Sequence, residues 1–267
     1  MILSFSQIRQ YVRCPRSYRY RYLEGWREKD TRAALIFGRC FENALGALFR
    51  RQDPGATLFK DWGAFRDVPL DYKKGETWDR LVRQGMHLLE QFARQDRVRI
   101  RAPHENLQIK ITRALAGGHK FVAYLDALGE LDGQRCVLDW KTTTSRYANG
   151  HEGLLSLDPQ LICYSWLIGI SEVALVVFVR KHHPEIQYLK ATISEEQRQE
   201  FARLVEATAV QIAAGEFPAH SGIRFPQNGC LSCANLGLCL QDQRLIETNL
   251  VRMPGASDFD WLEQLVD

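Results

Sequence analysis

Three charged residues stand where they could do chemistry together: Asp126, Asp139 and Lys141. Asp126 falls within the extended apolar run Phe121 to Leu131, and Asp139-Trp140-Lys141 follows the apolar Cys136-Val137-Leu138. Between the two runs lies Asp132-Gly133, the two-residue signal of a tight β-hairpin. Side chains alternate along a strand, so Asp139 and Lys141 share a face, and the hairpin can bring Asp126 alongside them. Two carboxylates and an ammonium on one face leave charge partly buried, which is costly unless a cation or a substrate compensates it. A hard divalent ion, Mg²⁺ or Mn²⁺, suits such oxygen donors. It would polarise a phosphodiester and lower the pKa of a water, while Lys141 orients that water or stabilises developing negative charge. The chemistry expected is phosphodiester hydrolysis.

An Asp-X-Lys tripeptide is common by chance, and Asp71-Tyr72-Lys73 is a second instance, set in a polar connection. Context separates the two. Downstream of Lys141, Gln160 and Tyr164 are four apart and share one face of a helix, able to brace the site or touch a phosphate. Upstream, Glu42 lies four after Gly38 on a helical segment and could supply a third carboxylate. In this order, Gly38-X-X-X-Glu42, Asp126, Asp139-X-Lys141 and Gln160-X-X-X-Tyr164 resemble the successive motifs of the RecB-like branch of the PD-(D/E)XK nuclease superfamily. The resemblance implies a restriction-endonuclease-like mixed sheet carrying Asp126, Asp139, Lys141, Gln160 and Tyr164 in an active site. It also implies that Glu42, Asp126 and Asp139 are the metal ligands. Many members have His where this chain has Glu42, and a carboxylate there is found in relatives.

Seven cysteines form a second group. Cys230, Cys233 and Cys239 lie in GCLSCANLGLC, a spacing that points to a metal site lacking a fourth ligand. Cys14 is the choice for it. It precedes Pro15 at a break between helices, whereas Cys40, Cys136 and Cys163 sit in apolar-patterned segments where a buried neutral thiol is the default. Four thiolates suit Zn²⁺ as well as a cluster. The opening SFSQIRQYVRCPRSYRYRYLEGW resembles that of the same nuclease family, including its CRISPR-associated exonucleases and the nuclease domains of helicase-nuclease complexes. That resemblance implies a [4Fe-4S] cluster held by one N-terminal and three C-terminal cysteines. Either occupant would close a loop of more than 200 residues and restrict the unfolded chain.

The elements that must position these groups follow from periodicity. Ser4 with Gln7 has capping-box spacing, and Pro15 suits the first turn of a helix to about Leu23. Helical patterns cover Ala33 to Gln52 and Trp78 to Gln95, with a polar connection between Asp53 and Gly75. Leu107, Ile109 and Ile111 alternate with polar residues, Gly117-Gly118 marks a turn, and the hairpin completes an antiparallel meander. Asp158 before Pro159 opens a helix to about Ile168. Strands at Val173 to Val179 and Ile186 to Ile193 precede a helix capped by Ser194 and Gln197 and running to about Ala214. The order implies an α/β fold with a mixed sheet flanked by helices. The expected organisation is one domain over 1–252: a helical part to about 105, a catalytic sheet over 106–215, and a cysteine segment over 216–245 joined by Cys14. An acidic, aromatic tail over 253–267 follows, with Ser257 able to cap a short helix.

Composition agrees with an ordinary globular protein of 267 residues, 45% hydrophobic and 25% charged. The N-terminus lacks the apolar run of a signal peptide, and no stretch is long enough to span a bilayer, so the expected location is the cytoplasm. The net charge of +3 is unevenly spread. Residues 1–51 hold 11 Lys/Arg against 4 Asp/Glu, net +7, leaving −4 for the remainder. Between Cys14 and Arg27, arginines alternate with aromatic residues, as in a groove for unpaired DNA, and Arg16 and Arg19 are the expected phosphate contacts. The leading reading is a Mg²⁺- or Mn²⁺-dependent deoxyribonuclease acting on single-stranded DNA or DNA ends. A protein partner in a CRISPR-adaptation, recombination or phage complex goes with it. Two other classes are a DNA-binding accessory subunit with a silent site and a zinc-stapled nucleic-acid-binding module.

Overall fold

Local sequence signals set the boundaries of most elements. In the computed structural model, which describes residues 1–147, 152–219 and 229–253, the chain opens with β1 (Ile2–Ser4), α1 (Phe5–Arg13) and α2 (Pro15–Tyr18). A π-helical turn over Arg19–Leu23 leads to β2 (Trp26–Glu28). Then come α3 (Ala33–Phe49), α4 (Pro54–Gly63), α5 (Trp78–Ala93), β3 (Val98–Arg99) and α6 (Pro103–Asn106). The central strands are β4 (Leu107–Ala114), β5 (Lys120–Leu131) and β6 (Gln134–Thr143). They are followed by α7 (Glu152–Leu155), α8 (Pro159–Ile168), β7 (Glu172–Val179), β8 (Glu185–Thr192) and α9 (Glu195–Ala213). The chain closes with α10 (Leu236–Leu240), α11 (Gln243–Asn249) and β9 (Leu250–Arg252). The helix expected after Ser257, and residues 220–228 of the cysteine segment, lie outside the described residues. No helix among the described residues is long and apolar enough to cross a membrane.

These elements form two compact units. The larger comprises Thr31–Arg113 and Val122–Arg203. Its sheet runs β5-β6-β7-β8, with β3 and β4 also paired to β5. β5 and β6 are antiparallel, β6 and β7 parallel, β7 and β8 antiparallel. The mixed α/β fold with a sheet flanked by helices is thus the one the sequence implies. The β5–β6 hairpin turns at Asp132 and Gly133, both at positive φ (52° and 81°), the primed-turn geometry that Asp-Gly favours. Parallel strands need a crossover, and α7 with α8 supplies it. α8 is punctuated at both ends: the Asp158 side chain accepts from the Gln160 and Leu161 N–H groups, Pro159 occupies the first turn, and Gly169 closes the helix at φ 76°.

One face of this sheet is the core. Cys136, Leu138 and Trp140 of β6, with Ala174, Val176 and Phe178 of β7, pack with Phe37, Phe41 and Leu45 of α3 and with side chains of α4 and α5. Phe41 meets Phe178 edge-on, with ring centroids 4.8 Å apart. Period two then turns Val137, Asp139 and Lys141 to the opposite face. α4 corrects the sequence reading, which takes 53–75 as a connection. Asp53 caps it through the Ala56 N–H and Pro54 starts it, but its apolar content is only Leu58, Phe59 and Trp62, too little for periodicity to reveal.

The smaller unit comprises Met1–Asp30, Ala114–Phe121 and Leu204–Asp267. Here the two ends of the chain are interwoven. β2 pairs antiparallel with β9, and Lys29 N–H reaches Asn249 O. The Tyr11 hydroxyl donates to Glu216 O, Tyr18 stacks on Phe217 at 6.0 Å, and the buried Asn235 amide donates to Ser17 Oγ at 2.8 Å. β1 pairs with β5, the Met1 carbonyl accepting from the Lys120 N–H in this unit.

The seating of α3 depends on close approach of α5 at Gly85. A Cβ there would stand 2.7 Å from Leu58 Cδ2 and 2.9 Å from Phe37 Cζ, both fully buried. Gly→Ala inside a helix ordinarily gains about 1 kcal/mol. Overpacking costs about 1–3 kcal/mol, so Gly85→Ala is expected to lower the urea midpoint of unfolding; an unchanged or higher midpoint would show that α5 has room to shift.

Candidate active site

The hairpin register determines where the acidic groups meet. The β5–β6 ladder runs from Leu131↔Gln134 to Ala127↔Leu138 and stops there, so Asp126 and Asp139 stand at the point where the strands part. Asp126 Oδ2 accepts the Trp140 N–H at 2.8 Å, replacing the missing ladder bond. Asp139 is buried, 1% exposed, and neither of its carboxylate oxygens accepts a hydrogen bond of regular geometry. Lys141 Nζ stands 2.7 Å from Asp139 Oδ2.

Lys141 is held from the other side as well. Its ammonium donates to Gln160 Oε1 at 3.1 Å, and Gln160 Nε2 donates to the Tyr164 hydroxyl at 2.6 Å. The spacing of Gln160 and Tyr164 on α8 makes this chain of contacts, and the Asp158 cap fixes the helix end that carries it. α3 brings Glu42 within electrostatic reach of both aspartates. Gly38, one turn before Glu42, faces Thr142 beside Lys141, and a Cβ there would lie 3.4 Å from Thr142 Oγ1, in ordinary contact.

These carboxylates repel one another in a poorly hydrated place. Burial, then the neighbouring Glu42 charge, raises the Asp126 carboxyl to about 7. Burial and Asp126 raise Asp139 to about 8. Glu42 is raised by burial, which the hydrogen bond from Gln108 partly offsets, with Asp139 adding to the rise. Burial pulls the Lys141 ammonium down, and Asp139 and Asp126 more than compensate, leaving it above its ordinary value. The Tyr164 hydroxyl is raised well above 10 by burial and by both aspartates, so it stays protonated. An all-oxygen donor set with unsatisfied buried lone pairs suits a hard divalent cation. The cation that Asp139 faces here is the Lys141 ammonium, and among the described residues no three His, Cys, Asp or Glu side chains already form a closed metal-ligand set.

Three neighbours escape the sequence reading. Gln108 hydrogen-bonds Glu42, and its positive φ (51°) at the start of β4 breaks the alternation that would have flagged it. Asp158, readable as a helix cap, also places negative charge near Asp139 and Lys141. Arg39, one turn before Glu42, acts on that carboxylate, and i,i+3 spacing was its only signal. The second Asp-X-Lys contributes nothing here: Asp71 is exposed and bridges to Arg32 beside the start of α3.

The cysteines divide as their surroundings dictate. Cys40, Cys136 and Cys163 are buried, and burial pushes the first two thiols up to about 12 and 11. Cys14, Cys230, Cys233 and Cys239 are in the smaller unit, none in a disulfide. Cys14 is the N-cap residue of α2, the Cys233 N–H donates to Cys230 O, and Cys239 sits in α10. The Cys239 thiol is raised by burial, hydrogen-bonded to Tyr20, and close enough to Cys233 and Cys14 to feel both. Arg16 lies beside that thiol, and Arg19 pairs with Glu24 at 2.8 Å.

A family model for the PD-(D/E)XK nuclease superfamily matches residues 2–240. The chain belongs to that superfamily, whose members typically use divalent metals such as Mg²⁺. Among solved structures it is similar to a protein of Eubacterium rectale named a putative exonuclease, at 14% identity and a TM-score of 0.51, over 97% of this chain and 92% of that one. It also matches SSO0001 at 17% identity and a TM-score of 0.38, over 89% and 85% of the two chains. The first of these supports the fold. No protein with a curated description matches the sequence significantly.

The raised carboxyls have a consequence for stability. A carboxyl whose folded pKa exceeds its unfolded value favours the folded state at low pH, and that contribution is lost as pH rises through the folded pKa. Without divalent metal, the melting temperature should therefore fall from about pH 4, the ordinary carboxylate value, to about pH 8, and level off above the folded values of about 7 and about 8. Asp139→Asn should flatten that fall. A wild-type profile as flat as the variant's would mean that the two aspartates do not repel as described.

Proposed function

We propose that the chain is a Mg²⁺- or Mn²⁺-dependent deoxyribonuclease of the RecB-like branch, acting on single-stranded DNA or DNA ends. The observation that carries this reading is the Asp139 carboxylate, buried without a regular hydrogen bond, beside a lysine tethered by Gln160. Glu42, Asp126 and Asp139 would hold the ion, which would supply Lewis acidity to the scissile phosphodiester. Lys141 carries a charge that neighbouring carboxylates keep protonated, and Gln160 Oε1 fixes its direction. A positioned ammonium of this kind stabilises negative charge as it builds on the phosphate, a contribution worth about 10²–10³ in rate. Tyr164, held protonated, keeps the Gln160 amide in one orientation so that its oxygen, not its nitrogen, faces Lys141. Asp126 is anchored by the Trp140 N–H, which fixes the direction of its carboxyl beside Asp139.

The second part of the proposal is a structural [4Fe-4S] cluster on Cys14, Cys230, Cys233 and Cys239. The nearness of Cys14, Cys233 and Cys239, in a unit that joins the chain ends, supports it. The biological setting in this reading is a DNA-processing complex of the CRISPR-adaptation, recombination or phage kind.

End-labelled single- and double-stranded DNA incubated with Mn²⁺ or Mg²⁺ tests the hydrolytic reading. Wild type should release product, Asp126→Ala should release none, and Lys141→Ala should be slower by about 10²–10³. Binding without cleavage by wild type would instead identify an accessory subunit. Protein purified without oxygen should be brown and contain iron, and Cys233→Ser should lose both colour and thermal stability. A colourless protein containing zinc, or a well-folded and fully active Cys233→Ser variant, would remove the cluster.

A further inference from the structure

We propose that the half-exposed face of β5 is a track for one DNA strand, anchored beyond Asp126 by a phosphate subsite built from Arg99, Arg101 and Arg135. This deepens the nuclease reading and rests on it. Along β5, Tyr124, Asp126, Leu128 and Glu130 are half-exposed, whereas Leu125 and Ala127 between them are buried. Alternation therefore puts these four on one partly open face, with the Asp126 carboxyl recessed within it. At about 3.4 Å per residue, Glu130 lies about 14 Å from Asp126 and Tyr124 about 7 Å in the other direction.

Each end of this face carries cationic groups. At the hairpin end, Arg99, Arg101, Arg135 and Asn106 line a cavity of about 270 Å³, with Glu130 the one acid in its wall. Register puts Arg135 directly opposite Glu130, yet Arg135 has no acidic partner among the described residues. Arg101 pairs with Glu130 at 3.0 Å while 86% exposed, and Arg99 pairs with Asp96 at 2.9 Å with both side chains largely in solvent. Such exposed pairs hold little and exchange readily for a phosphate. At the other end, Lys110 Nζ stands 5.7 Å from the centre of the Tyr124 ring. An ammonium beside an aromatic face is the pairing that takes a phosphate and stacks its base. Anionic strand is thus attracted on both sides of a centre whose own charge is negative.

Fluorescence anisotropy with a labelled single-stranded oligothymidylate tests the track without requiring cleavage. Arg101→Glu/Arg135→Glu should raise Kd tenfold or more and reduce the steepness of log Kd against log salt by about 1.4, two contacts at about 0.7 each. Tyr124→Leu should weaken binding with little change in that slope. Arg83→Glu/Arg94→Glu is the control, an equal charge reversal at two exposed positions, one on α5 and one at its C-cap, in the helix layer that packs on the core. Arg101 and Arg135 are exposed too, so the fold is not at stake. Binding by the Arg101→Glu/Arg135→Glu variant indistinguishable from the control in both Kd and slope would overturn the track. Wild-type cleavage of the same oligonucleotide, measured separately, decides the nuclease reading, so the two failures are distinct.

Discussion

Mutual repulsion among Glu42, Asp126 and Asp139 is the constraint that the larger unit is built to tolerate. Three carboxylates at the splayed end of a hairpin would separate in a less determined structure; confined together, they hold protons more tightly than free carboxyls do. Here each is held by a different element. Asp126 is pinned by a backbone amide, Asp139 by its place in a strand flanked on both sides, and Glu42 by a helix whose aromatic face is locked into the core. Lys141 relieves part of the strain, and α8 keeps it from swinging away. A site that is electrostatically uncomfortable without a cation is a site poised to take one.

That arrangement explains why the sheet is mixed. The antiparallel hairpin supplies two neighbouring strands whose acidic residues face each other, and the parallel step from β6 to β7 forces a crossover over the same face. The crossover helix is therefore delivered to the acidic centre by topology alone, and its cap decides which of its residues arrive. The opposite face is given entirely to apolar packing with α3, α4 and α5.

Much of this was legible in the residues. Asp132-Gly133 specifies the hairpin and its register, and register alone puts Asp126 across from Asp139. Asp158-Pro159 starts α8 and the four-residue spacing does the rest. What escaped is what no local pattern encodes. α4 has too few apolar residues to announce itself; β1, β2, β3 and β9 are two or three residues long and exist because a distant strand pairs with them. Gln108 reaches Glu42 through a left-handed backbone residue, which disrupts the alternation by which it would have been read. The arginine-lined cavity joins β3 to the hairpin, and its residues carry no motif.

The interweaving of the chain ends in the smaller unit bears on synthesis. Tyr11, Ser17, Tyr18 and β2 are made some two hundred residues ahead of their partners Phe217, Asn235 and β9. Contacts separated by some two hundred residues close slowly. Until those partners are made, α1 and α2 keep their apolar side chains uncovered, the transient exposure that makes an incomplete chain prone to aggregate.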